Sequence, residues 1–438
     1  MNFYRTFVDK IRGKPQKCLY MVFKREKYVE KLIAGIGNGL VKIITGGRRC
    51  GKSFLLFHLF HNRLIETGTK EEQIIELSLD ERKNRHLRNP DILLQYVEEK
   101  IRRDGNQYYV ILDEVQLVED FVEVLLSLMH MQNVEVYVSG SNSKFLSKDV
   151  VTEFRGRGDE IRVWPLSFAE YAEEIDLNFA SAWRKYYTFG GLPQVALMEK
   201  DDKKMEFLTN LYELTYLKDI VERHHIRNEA GIRQLVRILS SGIGGSTNAK
   251  RISNTFQTVE GVGISHNTIK SYMEYLQDAF LMEESLRYDV KGRKYIGTES
   301  KYYFNDMGLR NAIISFRQTE ENHIMENIIY NELRMRGFLV DVGQTESWKK
   351  NKNNQNVRRN LEIDFVANKG HVRYYIQSAF AINNDDKKEQ ELASLKNVKD
   401  AFKRVVIMRN DIMPYHDENG FLILGLKDFL LNPDSLDQ

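Results

Sequence analysis

Short apolar runs alternate with amphipathic helical patterns over the first part of the chain. Apolar residues at helical spacing predict a helix over Lys24–Ile36. Strand-type apolar runs follow at residues 40–44, Ile74–Leu79, Tyr108–Leu112, Val134–Val138 and Glu160–Trp164. Buried strands that alternate with helices are typical of a parallel sheet with helices on its faces. We therefore predict an α/β core over residues 1–175 with an N-terminal helical extension.

The chemistry of this core begins directly after its first predicted strand, where residues 45–53 are TGGRRCGKS. Gly46, Gly51, Lys52 and Ser53 satisfy the pattern G-x-x-x-x-G-K-[ST]. Such a loop curls its backbone N–H groups around phosphate, and the following helix adds positive potential. We expect Lys52 to reach the β- and γ-phosphates of ATP and Ser53 to complete the shell of Mg²⁺. The expected nucleotide-binding residues are Gly46, Gly47, Arg48, Arg49, Cys50, Gly51, Lys52, Ser53 and Phe54.

Two carboxylates follow the apolar run Tyr108–Leu112 at once, as Asp113 and Glu114. At the end of a strand beside a phosphate loop, we expect Asp113 to hold Mg²⁺, directly or through water. Glu114 is expected to activate the attacking water. The alternative is that Glu114 is an ordinary solvated residue, because an apolar run ending in Asp-Glu is common in isolation.

Polar residues after the next strand supply further candidates for catalysis. Ser141 or Asn142, which follow the run Val134–Val138, would orient the water between Glu114 and the γ-phosphate. Arg155 or Arg157 would stabilise the transferred phosphoryl group, in cis or across a subunit contact. For the arginines, an ordinary surface ion pair is an equally good interpretation.

Several motifs together carry a family resemblance. They are, in chain order, GGRRCGKS, VILDEVQ, SGSNS, FRGRGDEIRVWPLSFAEY, FGGLPQV, LKDIVERHHI, SHNTIKSYMEYLQDAFLMEE, KYYFNDMGLR and MENIIYNELRMRGF. With them the chain resembles the bacterial and archaeal AAA-type ATP-binding proteins that carry a C-terminal domain of unknown function. The resemblance extends from about Arg25 to the C-terminus. It implies an ATPase core, a winged-helix region and a segment similar to restriction-endonuclease-like folds.

The predicted fold class is therefore α/β, with an AAA-type P-loop NTPase core built on a parallel sheet. A helical lid, a winged-helix domain and a restriction-endonuclease-like α/β domain are expected to follow. The predicted boundaries are 1–175 for the core, 176–238 for the lid, 239–314 for the winged helix and 315–438 for the last domain.

The winged-helix prediction rests on two helices followed by two short strands around a basic loop, Lys291–Lys294. In DNA-binding winged helices the second helix enters the major groove. Here that helix would present His266, Asn267, Lys270 and Ser271 at its exposed start, and the basic loop would contact phosphate. A protein-contact or hinge module is an equally good interpretation.

The last domain has only part of the chemistry of a restriction-endonuclease-like nuclease. Such an enzyme needs clustered carboxylates for a divalent metal and a nearby lysine. Asp364 matches the first acidic position, and Glu326 would contribute from the preceding helix. The acidic-x-Lys position is occupied by Gln377 and Ala379, and Ala379 can neither position water nor stabilise charge. We predict a domain without nuclease activity, unless a lysine such as Lys387 enters the site.

The composition argues against a disulfide-rich protein and against a membrane-spanning protein. The 438 residues carry a formal net charge of +2, and the two cysteines are too few for a disulfide framework. No uncharged apolar run approaches the roughly 18 residues that cross a bilayer. We expect a cytoplasmic protein without membrane contact. A basic stretch predicts a solvated loop or a polyanion contact, and its charged residues are Lys349, Lys350, Lys352, Arg358 and Arg359.

These observations favour an ATPase that uses ATP and Mg²⁺ and couples its nucleotide state to movement of the C-terminal modules. The alternative is a nucleotide-dependent switch or DNA-binding module with negligible turnover. The expected partners are ATP, a nucleic acid at the winged helix and basic loops, and a protein partner or a second copy of the chain.

Overall fold

Two β-sheets organise the protein. The computed structural model describes residues 23–102, 104–140, 154, 156–175, 177–260, 263–317, 321–350, 356–380 and 392–438. The first sheet has five parallel strands in the order β2-β3-β4-β1-β5. These strands are β1 (Val41–Thr45), β2 (Ile74–Ser78), β3 (Tyr108–Asp113), β4 (Val134–Ser139) and β5 (Gly158–Arg162).

The second sheet has eight strands in the order β12-β13-β11-β10-β9-β8-β6-β7. They are β6 (Met282–Asp289), β7 (Lys294–Phe304), β8 (Leu339–Lys350), β9 (Asn356–Lys369), β10 (Val372–Ala379), β11 (Lys403–Met408), β12 (Tyr415–His416) and β13 (Leu422–Gly425).

The helices before β6 cover both faces of the first sheet and then form a helical region. The helices that precede the helical region are α1 (Glu26–Ala34), α2 (Lys52–Phe54), α3 (His61–Glu66), α4 (Pro90–Lys100) and α5 (Phe121–Met129). Within it they are α6 (Phe168–Glu174), α7 (Phe179–Phe189), α8 (Pro193–Ala196), α9 (Asp201–Leu211), α10 (Lys218–Arg223), α11 (Glu229–Ser241), α12 (Ala249–Thr255) and α13 (His266–Asp278).

The helices after β7 pack on the second sheet, except that the first of them packs mainly against the helical region. They are α14 (Met307–Ile313), α15 (Glu321–Met335) and α16 (Leu426–Leu431), with a short helical segment over 392–396. Stretches of π-helix at Leu55–Phe60, Tyr212–Leu217 and Phe256–Glu260 adjoin α-helices, and the 3₁₀ helices lie at Glu71–Gln73, Arg82–Arg88 and Val115–Leu117.

The inner strands of the first sheet are buried on both faces, which explains why they are mainly apolar. Every residue of β1 and β3 is buried. Ile43 belongs to the apolar core on the side of α4 and α5, and its neighbour Ile44 belongs to the core on the side of α1. The five predicted strands are confirmed, although β5 begins two residues earlier than the apolar pattern indicated. The helix predicted over Lys24–Ile36 is also confirmed, as α1.

The strand order places one set of loops at one edge of the first sheet. β1 lies between β4 and β5, whereas the chain passes from β1 to the far side of the sheet to form β2. Because all five strands are parallel, the loops that follow them meet at their carboxyl ends. The order of the strands reverses beside β1. Such a reversal opens a crevice at the carboxyl ends of the strands, where α/β proteins bind their ligands.

The predicted wing belongs to the large sheet. Strands β6 and β7 form the antiparallel hairpin, with the basic residues at its turn. However, β6 also pairs in parallel with β8, with Arg287 opposite Val342. The hairpin was expected to belong to a winged-helix domain that ends at residue 314. It shares its sheet with strands that follow residue 314 in the chain.

Both described ends of the predicted basic loop are strands. The expectation of a solvated loop was wrong for residues 349–350 and 356–359, because β8 and β9 continue to pair up to Lys350 opposite Asn356. Lys352 lies outside the described residues. Among the residues that the structure describes, no helix combines the length and apolar character that crossing a bilayer requires.

Candidate functional site

The loop between β1 and α2 has a backbone that requires glycine at two positions. Gly46 and Gly51 have positive φ angles of 137° and 99°. A Cβ atom on Gly46 would lie 2.1 Å from the carbonyl oxygen of Val163, so no larger residue fits there. Arg49 also lies in the left-handed region, with a φ angle of 66°. The resulting turn precedes α2, as the loop pattern predicts.

Lys52 lies inside this loop. Its side chain is buried, and its Nζ donates to the carbonyl oxygens of Gly46 at 2.8 Å and Gly47 at 3.0 Å. These two bonds hold the ammonium at the centre of the curled backbone. A buried cation in a glycine-rich turn next to a helix N-terminus is an arrangement suited to phosphate.

Asp113 ends the buried strand β3 and lies next to the loop. Its carboxylate accepts a hydrogen bond from the hydroxyl of Ser139, and the Ser53 hydroxyl lies beside it. Burial raises the pKa of Asp113, while these two hydroxyls and the charge of Lys52 act in the opposite direction. The Ser53 hydroxyl and the Asp113 carboxylate are adjacent hard oxygen donors of the kind that Mg²⁺ prefers, so the residues present fit this ion.

Ser139 is a residue of the site that the sequence pattern does not predict, since the pattern favours Ser141 and Asn142. Ser139 ends β4, the strand between β1 and β3, and its side chain is buried. Its place at the carboxyl end of a buried strand was a signal that could have identified it. Ser141 and Asn142 lie outside the described residues, so their predicted role stays a prediction.

Glu114 follows Asp113 in a left-handed conformation, with a φ angle of 56°. This region is unfavourable for a residue with a Cβ atom and recurs at functional sites. Gln116 donates a side-chain hydrogen bond to Glu114 Oε2. The neighbouring amide thus orients the carboxylate that the sequence predicts to be the base.

The predicted role of Arg157 in its own chain does not fit its position. Arg157 is exposed and precedes β5, where its carbonyl oxygen accepts from the N–H of Val41 at the start of β1. The phosphate loop is at the other end of β1, on the order of 15 Å away at about 3.3 Å per residue. The other predicted role of Arg157, a contact across a subunit interface, stays a prediction. Arg155 lies outside the described residues.

Arg162, and not Arg155 or Arg157, is the arginine at the carboxyl end of β5. It forms an ion pair with Glu283, a residue of β6 that also pairs with Arg334 at 2.9 Å. Its guanidinium lies 3.9 Å from the ring centre of Trp164 and 5.0 Å from that of Phe280. Partial burial acts to raise the pKa of the Glu283 carboxyl, but the two arginines outweigh this effect and lower it.

The helical region contacts the phosphate loop directly. The Tyr216 hydroxyl donates to the carbonyl oxygen of Arg48 at 3.2 Å, and the Arg48 guanidinium pairs with Asp219 at 2.8 Å. A Cβ atom on Gly47 would lie 2.9 Å from the Tyr216 hydroxyl. The loop is therefore in contact with the π-helix and α10.

A cleft lies between the loop, the end of β5 and the second half of the chain. Asp306 is buried in its wall, and its carboxylate accepts from the N–H groups of Gly191 at 2.7 Å and Leu309 at 2.9 Å. Burial raises the pKa of Asp306 to about 6. The residues that line the cleft are Gly47, Arg48, Cys50, Arg162, Val163, Trp164, Pro165, Leu192, Tyr216, Phe280, Asn305, Asp306 and Leu309.

Other predicted nucleotide-site residues take ordinary positions. Cys50 is buried with a free thiol, in keeping with the role of a small filling residue. Phe54 packs against the ring of His58, with ring centres 4.8 Å apart.

The residues proposed to contact nucleic acid are at the start of α13. His266, Asn267 and Lys270 are exposed, and Ser271 is half-buried. Ser265 caps this helix by accepting from the N–H of Thr268 at 3.1 Å.

The acidic residues of the last domain surround a lysine. Lys301 of β7 is buried, and its Nζ lies 2.9 Å from Glu326, 2.7 Å from Glu362 and 4.0 Å from Asp364. Burial and the charge of Glu326 raise the pKa of Asp364. The described residues contain no group of three or more histidine, cysteine or acidic side chains placed to hold a metal ion.

In this cluster the charge of Lys301 balances the charges of the acidic side chains around it. The predicted alternative lysine, Lys387, lies outside the described residues. The prediction that the domain lacks nuclease activity stays a prediction.

The sheet, the glycine-rich loop and the buried Lys52 define a P-loop nucleotide-binding α/β core. A family model described as "AAA domain" matches residues 38–172, which supports an AAA-type P-loop domain in this segment. A second model, described as "Domain of unknown function (DUF8612)", matches residues 180–320.

Two curated relatives match over most of their length. An uncharacterized protein of Haemophilus influenzae is 29% identical over 94% of this chain and 99% of its own. An uncharacterized protein of Methanocaldococcus jannaschii is 28% identical over 89% of this chain and 85% of its own. Among solved structures, the ORC1 protein of Aeropyrum pernix in complex with DNA aligns with 66% of this chain and 92% of its own. Its TM-score of 0.27 and identity of 12% are too low to support an argument.

Proposed function

We propose that the protein binds and hydrolyses ATP with Mg²⁺ at the loop between β1 and α2. The observation that supports this most directly is the position of two charged groups at the loop, the Lys52 ammonium and the Asp113 carboxylate. The Lys52 ammonium is held inside the loop, and the Asp113 carboxylate, which Ser139 holds by a hydrogen bond, has the Ser53 hydroxyl beside it. Together they provide a cation for the phosphates and two oxygen donors for the ion.

Each side chain has a defined task in the proposed reaction. Lys52 binds the β- and γ-phosphates, and Ser53 and Asp113 hold Mg²⁺, which neutralises phosphate charge when bound. Ser139 positions the Asp113 carboxylate. Glu114, oriented by its neighbouring amide, accepts a proton from the attacking water.

We propose further that the second half of the chain responds to the nucleotide. Arg48 belongs to the phosphate loop, yet its side chain is bound to Asp219 and its carbonyl oxygen to Tyr216. A change of loop conformation upon binding would alter both contacts. Because Tyr216 packs in the core that extends to the large sheet, the displacement would reach the C-terminal modules.

Equilibrium binding tests the nucleotide site. Lys52→Ala removes the cation that neutralises phosphate, so calorimetric titration with Mg-ATP is expected to show binding by the wild-type protein and none by the variant. Lys100→Ala, which removes an exposed lysine at the end of α4, is the matched control and is expected to bind as the wild type does. Equal binding by the Lys52→Ala variant would contradict the assignment.

The contacts at Arg48 are equally compatible with a nucleotide-dependent switch that has negligible turnover. Single-turnover measurements with Mg-ATP distinguish a switch from an ATPase, because a switch leaves bound ATP intact. Adding duplex DNA to the same reaction tests the exposed start of α13. Lys270→Ala is expected to weaken any DNA contact made there, with Lys100→Ala again as the control.

A further inference from the structure

The large sheet carries a row of aromatic rings interrupted by one arginine. Tyr288 of β6 lies opposite Tyr295 of the edge strand β7, and their ring centres are 5.5 Å apart in an edge-to-face arrangement. The guanidinium of Arg373 on β10 lies 5.4 Å from the ring centre of Tyr288 and 5.3 Å from that of Phe402, the residue before β11. These four residues form a continuous aromatic stripe from the edge of the sheet to β11.

The two ends of the aromatic stripe are open to solvent. Tyr295 is 60% exposed and Phe402 is 39% exposed, whereas Tyr288 and Arg373 between them are half-buried. Single exposed apolar residues are common on soluble proteins, but exposed rings that belong to one continuous surface mark an interaction site. The two inner residues hold the exposed rings in place, so the surface is formed before a partner binds.

The chain that leads into the aromatic stripe is basic. Lys291, Arg293 and Lys294 are exposed at the turn between β6 and β7, and Lys294 immediately precedes Tyr295. The one carboxylate of this segment, Asp289, already accepts from the N–H of Lys291 at 3.1 Å. Exposed cations beside exposed rings suit a polyanion with flat bases, because the cations attract phosphate while the bases stack on the rings.

Polar groups beside the aromatic stripe are engaged with each other. The Tyr295 hydroxyl donates to Asp341 Oδ2 at 3.2 Å, and Arg373 Nε donates to Asn368 Oδ1 at 2.6 Å. A protein distinguishes RNA from DNA by bonding to the ribose 2′-hydroxyl, so a surface of rings and cations with engaged polar neighbours favours DNA. The bases of a duplex are stacked on one another, and therefore only single-stranded DNA can place them on these rings.

We propose that the aromatic stripe and the turn between β6 and β7 bind single-stranded DNA. Bases stack on the exposed rings of Tyr295 and Phe402. The phosphates lie against Lys291, Arg293 and Lys294. This surface belongs to the large sheet and uses no residue of the phosphate loop, so the inference goes beyond the proposed function and does not depend on ATP hydrolysis.

Fluorescence anisotropy with a labelled oligothymidylate of about 20 nucleotides tests the stacking contacts. The wild-type protein is expected to bind this strand. Tyr295→Ala and Phe402→Ala are each expected to weaken binding by about 5-fold to 150-fold, the range for the loss of one stacked base. Tyr295→Phe keeps the ring and loses only the hydroxyl, so it is expected to bind with wild-type affinity.

Tyr415 supplies a matched control. It is 48% exposed on β12, at the opposite edge of the same sheet, so Tyr415→Ala is expected to keep the affinity of the wild type. Replacing Lys291, Arg293 and Lys294 together by alanine should reduce the slope of log affinity against log salt concentration by about 2, at about 0.7 for each phosphate contact on a single strand. All these side chains are exposed, and the variants are expected to unfold at the same urea concentration as the wild type.

Binding is measured without nucleotide and again with Mg-ATP. A wild-type protein that binds the strand in neither condition would overturn the inference, whatever its ATPase activity. Equal losses of affinity in Tyr295→Ala and Tyr415→Ala would also overturn it. An effect of Tyr295→Ala that is as large for a blunt DNA duplex, or larger for an RNA of the same length, would contradict the assignment to single-stranded DNA.

Discussion

The contact between the phosphate loop and Tyr216 predicts an unusual response to the substitution Gly47→Ala. Gly47 is not in the left-handed region, so its backbone tolerates alanine. The new Cβ atom would nevertheless lie 2.9 Å from the Tyr216 hydroxyl and 3.7 Å from the Cβ of Phe280. A contact below 3.0 Å forces the tyrosine to move, and overpacking of this kind costs about 1–3 kcal/mol.

Tyr216→Phe removes the atom that causes the clash. Alone, this variant loses the hydrogen bond to the carbonyl oxygen of Arg48, which costs about 1 kcal/mol. In the double variant the alanine methyl occupies space that the hydroxyl has left. We therefore expect the double variant to be more stable than the sum of the single effects implies, with a coupling of about 1–2 kcal/mol.

Urea unfolding of the four proteins measures this coupling. The midpoint and slope of each transition give the free energies of unfolding. If Gly47→Ala destabilises the Tyr216→Phe background as much as the wild type, the coupling is zero. Such a result would refute the packing of Tyr216 against the loop and, with it, the route proposed from the nucleotide to the second half.

Three further predictions concern charges buried in the second half. Glu283→Ala leaves Arg162 and Arg334 without their shared carboxylate, so urea unfolding should show a loss of about 3–5 kcal/mol. Lys301→Met leaves three carboxylates facing one another, and a similar loss is expected. For Asp306, the pKa is raised from 3.8 to about 6, so its stabilising contribution is full well below pH 3.8 and is lost as pH rises through 6. Compared with Asp306→Asn, the wild type should lose about 3 kcal/mol between about pH 3 and 7.

Exposed residues of the same types serve as controls. Glu274 and Lys270 form a surface pair on α13 at 3.9 Å, and Glu274→Ala or Lys270→Met should change stability by less than about 0.5 kcal/mol. An effect of Glu283→Ala or Lys301→Met no larger than these would contradict the account of the two clusters. A stability difference between wild type and Asp306→Asn that is constant with pH would contradict the raised pKa.

The nucleotide core could be predicted from the sequence because its signals are local. The central strands β1, β3 and β4 are mainly apolar and almost wholly buried, as burial on both faces requires. The loop residues and Asp113 come directly after such runs, and their chemistry depends on short spacings. The structure places Lys52 inside the loop and Asp113 at the end of β3, and their roles at a nucleotide stay predictions.

The contacts from the second half could not be predicted in the same way. Tyr216 and Arg48 are 168 residues apart, and no periodicity in the chain relates them. The same holds for Lys301 and Asp364, which meet because β6 pairs in parallel with β8 and joins the hairpin to the large sheet. Hydrophobic patterns indicate which segments form strands, but not which strands become neighbours.

Arg157 shows how sequence order can mislead within the core itself. It precedes β5, and a parallel strand carries its first and last residues to opposite edges of the sheet. The arginine of the site edge is Arg162, five residues later in the chain and at the other end of the strand. A prediction of the strand limits accurate to a few residues was not sufficient to distinguish these two arginines.

Single-turnover hydrolysis of radiolabelled ATP is the most direct test of the central claim. With protein in excess and Mg²⁺ present, the wild type is expected to release labelled phosphate. Glu114→Gln keeps the shape of the side chain but cannot accept a proton, so it is expected to bind ATP with similar affinity and to release phosphate at least about 100-fold more slowly. Undiminished release by Glu114→Gln would contradict the assigned base, and bound ATP that remains intact in the wild type would contradict the proposed ATPase.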